Sequence, residues 1–144
     1  MGEPFNAAGG ASGPRASIGV RFVAALIDGI ILGIAVRILQ AVLGFPAGTA
    51  VGVLLGIAYF AYFEGQPAGQ TLGKRAMNIR VIDFATGGSL DSSKALVRSL
   101  VREVSGLACA IGFIWALFNP EKQTWHDLAA NTVVVPTSAY PPPA

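Results

Sequence analysis

The sequence is poor in the side chains on which most catalytic and metal sites are built. It contains one cysteine and one histidine among 144 residues, and only 12% of its residues are charged. Cys109 has no partner in the chain, which excludes an internal disulfide framework and a cysteine-based metal site. The H-E-x-x-H, P-loop and G-x-S-x-G motifs are absent. We therefore expect neither an enzyme nor a bound metal or cofactor.

The sequence also lacks a strong charge of either sign. Ten Lys and Arg residues against eight Asp and Glu residues give a formal net charge of +2, and no basic run is interleaved with aromatic residues. Nucleic-acid binding usually needs a basic face, so we expect no nucleic-acid partner. Apolar residues are abundant instead. They make up 53% of the chain and give a mean hydropathy of +0.58, which is typical of membrane proteins.

The longest apolar segment covers residues 18–43 and contains no proline. As a helix it would extend about 39 Å, enough to cross a hydrocarbon core of about 30 Å. It contains Asp28, and a charge inside the bilayer costs at least about 2.5 kcal/mol. Arg21 shares the helix face of Asp28 but lies about 10 Å away along the axis, so partners on other helices are favoured over a direct pair. The aspartate indicates either a coupling group for transport or an ion pair that fixes helix docking.

A second apolar segment, residues 47–63, follows a short uncharged turn and ends in aromatic residues suited to the membrane interface. Small residues recur at four-residue spacing in both segments, which lets helices approach closely. We predict an antiparallel helical hairpin packed through these glycines. The same rows would serve association with a second copy or with another membrane protein. The predicted packing residues are Gly29, Gly33, Gly48, Gly52 and Gly56.

A third segment, residues 92–118, begins with a basic face and continues into an apolar run. Lys94, Arg98 and Arg102 are spaced by four and stack along one side of a helix. The uncharged run, residues 104–118, would extend about 22 Å, which is shorter than a full crossing. Either the segment is a third span that draws Arg102 and Glu103 into the bilayer, or it bends near Gly106 and returns as a re-entrant hairpin.

The polar middle, residues 64–93, contains a strand-like stretch at 78–84 followed by a turn. Residues 132–135 are also strand-like and would pair with 78–82 only if the C-terminal tail lies on the same side of the membrane. Basic residues are concentrated in and after the middle and are absent from the first turn. This places the middle and the N-terminus in the cytoplasm, and the chain in the cell membrane as a multi-pass protein.

The predicted fold class is therefore an all-α membrane protein. It consists of a transmembrane helical hairpin and a third, spanning or re-entrant, apolar helix segment, with a short cytoplasmic β element. One domain, residues 18–135, is flanked by tails 1–17 and 136–144. Both tails are rich in Gly, Ala or Pro, and we expect them to be disordered.

Three motifs occur in a distinctive order: R-F-V-A-A-L-I-D at 21–28, G-Q-T-L-G-K at 69–74 and W-H-D-L-A-A-N-T-V-V-V at 125–135. Together they resemble the RDD family of small bacterial membrane proteins, named for one arginine and two aspartates. The resemblance covers residues 17–136 and implies that Arg21, Asp28 and Asp127 are the name-giving residues. One departure is Ala130-Asn131, where the family typically has a glycine before threonine.

Two functional hypotheses follow. The first is a small transporter or transporter subunit, since some family members have been proposed to exchange cations for protons. In it Asp28 couples the ions beside Arg21, and Asp127 is a second carboxylate at the cytoplasmic mouth. Arg98, Arg102 and His126 support the site, His126 as a proton relay. A single copy is small, so this hypothesis implies an oligomer. The alternative is a non-transporting scaffold or assembly partner in which the Arg/Asp network is structural.

Overall fold

Two long helices joined by a single glycine form the apolar part of the protein. The structure is a computed structural model and describes residues 13–107 and 111–142. Helix α1 is Ile18–Leu43 and helix α2 is Phe45–Glu64. Ser17 caps α1 by accepting a hydrogen bond from the N–H of Val20. Gly44 joins the helices at φ +88°, a conformation that favours glycine. The two predicted helices, 18–43 and 47–63, are confirmed.

Both helices are long and apolar enough to cross a membrane. Their outer faces carry large apolar side chains that no other part of the described chain covers, such as Ile30 at 62% exposed and Val42 at 74%. Only 11% of the most apolar stretch of α1 is buried inside the protein, whereas the core helix of a soluble protein would be mostly buried. Uncovered apolar surface of this extent is typical of association with lipid.

The two helices pack antiparallel through the glycines of α2. A Cβ atom added to Gly48 would collide with the backbone of Gln40, and one added to Gly52 would lie 2.7 Å from the Val36 side chain. Gly29 and Gly33 do not take part, because a Cβ at either position meets nothing within 4 Å. The predicted packing role inside the hairpin is therefore wrong for these two glycines. Helix α1 meets α2 through the neighbouring face, which carries Val36 and Gln40.

A polar cap adjoins one end of the hairpin. It comprises helix α3 (Leu72–Ala76), strand β1 (Ile79–Asp83), helix α6 (Trp125–Ala130) and strand β2 (Thr132–Pro136). The strands pair antiparallel, with Val81 opposite Val134, and all five residues of β1 are buried. The predicted pairing of the two strand-like stretches is confirmed. Both strands consequently lie on the same side of any membrane that α1 and α2 cross.

Helix α4 (Ser92–Leu107) runs antiparallel to α2 from the cap towards the middle of the hairpin. Ser99 donates a 2.8 Å hydrogen bond to the carbonyl oxygen of Ile57. Helix α5 (Ile111–Ile114) and a 3-10 turn (Trp115–Leu117) follow residues 108–110, which include Cys109 and lie outside the described residues.

The chain turns back between α4 and α5. A Cβ atom added to Gly112 would contact both Ser105 and Trp125. In one continuous helix Ser105 and Gly112 would instead be two turns, or about 10 Å, apart along the axis. The predicted segment 92–118 is therefore divided. No third spanning helix is found among the described residues.

The C-terminal segment folds back over the sheet, so the expected disorder of 136–144 is wrong for residues 136–142. Arg80 donates to the carbonyl oxygens of Tyr140 at 3.3 Å and Pro141 at 3.1 Å. The Tyr140 hydroxyl accepts a 2.6 Å hydrogen bond from the N–H of Gly13. Tyr140 is only 3% exposed, so one aromatic anchor orders a segment whose composition alone suggests disorder. Of the predicted N-terminal tail, residues 13–17 are also ordered, and residues 1–12 lie outside the described part.

The departure from the family pattern at Asn131 is accommodated by its backbone. Asn131 ends α6 in the left-handed conformation, with φ 54° and ψ 56°. Glycine adopts this conformation most readily, and asparagine is one of the few other residues that tolerates it. The turn into β2 is therefore kept.

The glycine contacts predict opposite outcomes for two substitutions of the same kind. We expect Gly48→Val to lower the melting temperature of the detergent-solubilised protein markedly, because the new side chain would push against the backbone of α1. Gly29→Val is the matched control and should leave the melting temperature nearly unchanged. Equal losses in the two variants would contradict the packing described here.

Candidate functional site

Five buried charged side chains meet where the hairpin contacts the cap and α4. We call Arg21, Glu64, Lys74, Arg98 and Asp127 the charge network. Arg98 lies at its centre: Nε donates to Glu64 Oε2 at 2.8 Å, and Nη1 donates to Asp127 Oδ1. Lys74 Nζ donates to Glu64 Oε1 at 2.9 Å, and Arg21 Nη2 donates to Asp127 Oδ2 at 2.8 Å. The most exposed of the five, Lys74, is only 6% exposed.

The local sequence aims the carboxylate of Asp127 into the network. Thr124 precedes α6 and forms a capping box with Asp127. The Thr124 N–H donates to Asp127 Oδ2 at 3.0 Å, and the Asp127 N–H donates to the Thr124 hydroxyl. This reciprocal arrangement fixes the aspartate at the third position of a helix. Asp127 is consequently 0% exposed and faces two guanidinium groups.

Asp28 is held by neutral hydrogen-bond donors. Tyr59 Oη donates to Oδ1 at 2.7 Å, Thr71 Oγ1 donates to Oδ2 at 2.7 Å, and the Gly73 N–H donates to Oδ1 at 2.9 Å. Asp28 and Arg21 do not pair with each other, as their separation along α1 predicts: Arg21 pairs with Asp127 instead. The two-turn separation along α1 lets each side chain find its partner on a different element.

The G-Q-T-L-G-K motif docks α3 onto the hairpin. Thr71 caps α3 by accepting a 3.3 Å hydrogen bond from the Lys74 N–H, and its own hydroxyl donates to Asp28. Gly73 lets α3 approach α1, because a Cβ there would collide with the carbonyl oxygen of Ala24. Lys74 completes the motif by pairing with Glu64. Thr71, Gly73 and Lys74 thus act together within one short turn.

Sequence reasoning missed Tyr59, Glu64, Thr71 and Lys74. Glu64 gave a signal, because it is the only charged residue of α2 and ends an otherwise apolar helix. Thr71 stands three residues before Lys74, the spacing of a helix cap. Asp127 stands three residues after Thr124, the spacing of a capping box. None of these signals names the partner across the fold.

The supporting residues occupy different positions around the network. Arg98 is its centre, as described above. The guanidinium of Arg102 lies over the Phe60 ring, 3.9 Å from the centroid, which is a cation–π contact. His126 is 1% exposed and lies beside Asp127. These contacts do not test the predicted roles of Arg98, Arg102 and His126 in ion coupling, which stay predictions.

Burial and neighbouring charges set the ionisation of the cap residues. Burial lowers the pKa of His126 well below its ordinary value, against the opposing charge of Asp127 and with the help of Arg98. Burial alone would raise the pKa of Asp127, but Arg21 and Arg98 bring it well below its ordinary value. Burial lowers the pKa of Lys74, and the charge of Glu64 opposes that shift. At neutral pH the aspartate is thus charged and the histidine neutral.

The arrangement joins elements of the fold. Within the described ranges, no group of three or more His, Cys, Asp and Glu side chains is placed to hold a metal ion. The charge network connects α1, α2, α3, α4 and α6 through charge-assisted hydrogen bonds. The fold and this site define a membrane-associated helical protein with a buried Arg/Asp network.

The family follows from comparison with known sequences. The sequence model described as RDD family matches residues 15–131, so the chain belongs to the RDD family. The matched range contains Arg21, Asp28 and Asp127. No solved structure matches the chain.

Three curated proteins are similar over part of their length. A proline-rich antigen of Mycobacterium leprae is 34% identical over 86 residues, which are 58% of this chain and 34% of that protein. A proline-rich antigen homolog of Mycobacterium tuberculosis (strain H37Rv) is 29% identical over 85 residues, or 56% and 35%. An uncharacterized protein of Haemophilus influenzae is 29% identical over 120 residues, or 80% and 74%. The chain thus spans about a third of the mycobacterial relatives.

The donors around Asp28 predict the effect of removing one hydroxyl. We expect Tyr59→Phe to lower the free energy of unfolding by about 1.5–3 kcal/mol, because a buried carboxylate loses one charge-assisted hydrogen bond. Tyr62→Phe is the matched control, since Tyr62 is 63% exposed. Thermal unfolding in detergent measures both. A Tyr59→Phe variant as stable as Tyr62→Phe would contradict this account of Asp28.

The buried neutral histidine predicts how stability depends on pH. His126 is the only histidine in the sequence. Its pKa is low in the folded state and about 6.5 in the unfolded state, so only the unfolded state takes up a proton as the pH falls below about 6.5. Stability should therefore fall below that pH, by up to about 1.4 kcal/mol per pH unit.

The His126→Gln variant tests the source of this slope. Its unfolding free energy, measured from pH 7.5 to pH 5, should vary less with pH than that of the natural sequence. Only the slopes are compared, so a constant loss of stability from the substitution does not affect the result. An unchanged slope would show that His126 is not responsible.

Proposed function

We propose that the chain is a multi-pass membrane module that anchors and assembles protein segments at the membrane. In this proposal α1 and α2 span the bilayer, and the charge network joins them to the polar cap as one unit. The cap then presents attached segments or a partner protein at a fixed position relative to the lipid. The proposal chooses the structural interpretation of the Arg/Asp network over ion coupling.

The proposal rests on the fact that Asp28 and Asp127 each already accept hydrogen bonds from several donors. Asp28 accepts hydrogen bonds from three donors and is 1% exposed. Asp127 accepts from two guanidinium groups and from the Thr124 N–H, and it is 0% exposed. A carboxylate that exchanges a cation for a proton must release its partners in each cycle. These two carboxylates instead form the contacts that hold the elements together.

The relatives and the charge pattern support the same proposal. The similar region occupies about a third of the two proline-rich antigen relatives, as expected for a unit that occurs within longer proteins. Basic residues are concentrated between Lys74 and Arg102 and are absent between the two spanning helices, so we place the cap on the cytoplasmic side. Strand β2 pairs with β1 and belongs to the same side.

A double-mutant cycle on Arg21 and Asp127 tests the structural role. Removing one partner of a buried ion pair leaves an uncompensated charge and costs about 3–5 kcal/mol. We expect Arg21→Met and Asp127→Asn each to lower the unfolding free energy strongly, and the double variant to lose less than the sum of the two. Arg75→Met is the control, because Arg75 is an exposed charge on α3. Additive losses would contradict the proposed role.

Reconstitution separates assembly from exchange. Purified protein in proteoliposomes should give no pH change when a monovalent cation gradient is applied, for the natural sequence and for Asp28→Asn alike. A cation-driven pH change that disappears in Asp28→Asn at unchanged thermal stability would contradict the proposal.

A further inference from the structure

One carboxylate of the hairpin region stands apart from the charge network. Glu103 lies on α4, five residues beyond Arg98, and is half-buried. A Cβ atom added to Gly56 would lie 3.2 Å from Glu103 Oε1, so the carboxylate occupies the space that this glycine leaves on α2. The side chain therefore points towards the two spanning helices. Along α2, Gly56 lies about 12 Å from Glu64 and about 16 Å from Phe45, which is near the middle of the helix.

Glu103 lines a cavity of about 210 Å³ between α1, α2 and α4. The other lining residues are apolar or small except for Thr49, whose hydroxyl already donates to the Phe45 carbonyl oxygen at 2.7 Å and accepts from Gln40 at 3.0 Å. The remaining lining residues are Leu32, Gly33, Val36, Gly52, Val53 and Gly56. The cavity is large enough to admit water, and no cationic side chain is among the residues that line it.

Arg102 is the cation whose charge acts on Glu103, and it opposes the effect of burial there. On its own helix, Arg102 lies over the Phe60 ring and Arg98 binds Glu64 and Asp127. The lining residues of α1 and α2 include no ionisable side chain. Helix α5, Ile111–Ile114, has none either. Burial disfavours the ionised carboxylate of Glu103 more than the charge of Arg102 favours it, whereas the protonated carboxyl group is neutral.

We infer that Glu103 is a reversible proton-binding site, held at mid-depth in the membrane by helix α4 and opening into the cavity between α1 and α2. The inference rests on the proposal that α1 and α2 span the bilayer. A proton fits this site better than a metal cation, because hard cations take several oxygen ligands and the cavity supplies one free carboxylate. Protonation lets α4 stay against Gly56, and loss of the proton draws water into the cavity.

Labelling with an apolar carbodiimide tests this inference. The reagent partitions into lipid and reacts with protonated carboxyl groups: the carboxyl proton passes to a carbodiimide nitrogen, and the carboxyl oxygen bonds to the central carbon. We use the full chain in native membranes treated with dicyclohexylcarbodiimide from pH 5.5 to pH 8.5, and locate the adduct by peptide mass spectrometry. Glu103→Gln is the control that removes the site, and a water-soluble carbodiimide reports carboxylates open to the aqueous phase.

We expect the adduct on Glu103, with a yield that falls as the pH rises and no adduct at position 103 in Glu103→Gln. Thermal unfolding of Glu103→Gln should match the natural sequence, because the amide is neutral like the protonated acid. No adduct on Glu103, preferential reaction with the water-soluble reagent, or protection by sodium ions at constant pH would each overturn the inference. Adducts on Asp28 or Asp127 would instead contradict the proposed structural network, so the two failures are distinguishable.

Discussion

The fold depends on one guanidinium group that two carboxylates share. Arg98 binds Glu64 at the end of α2 and Asp127 in α6, two side chains that are 63 positions apart in the sequence. Arg21 and Lys74 each add a second cation to one of these carboxylates. Three cations thus surround two anions, and the buried His126 beside them is neutral. Because these groups are removed from water, each depends on its partners for solvation, and the helices that carry them are held together.

The four carboxylates near the hairpin show how surroundings decide the role of a charge. Asp28, Glu64 and Asp127 are nearly fully buried, and each accepts hydrogen bonds from several donors. Glu103 lies against a glycine and an apolar cavity. In the proposed assignment, the same chemical group is structural in three places and binds a proton in the fourth.

The sequence predicts helices and strand pairing better than it predicts partners. Helices α1 and α2 follow from apolar runs of membrane-crossing length, and the β1–β2 pair follows from two β-branched stretches. Helix periodicity could not predict that Arg21 pairs with Asp127, because periodicity shows which face of the helix a residue occupies and not which element covers that face. The predicted packing role of Gly29 and Gly33 was wrong for the same reason. Glu64 was missed because a charge at the end of an apolar helix is also typical of an unremarkable helix end.

The contact between Gly13 and Tyr140 has a consequence for the architecture of larger proteins. The N-terminal segment at Gly13 and the C-terminal segment at Tyr140 meet over the sheet, and Arg80 binds the C-terminal segment through its carbonyl oxygens. Residues 13 and 140 thus lie together on the cap, away from the exposed apolar faces of α1 and α2. An N-terminal and a C-terminal extension of the domain would therefore begin close to each other. A proline-rich linker on one of them could contact a domain attached to the other.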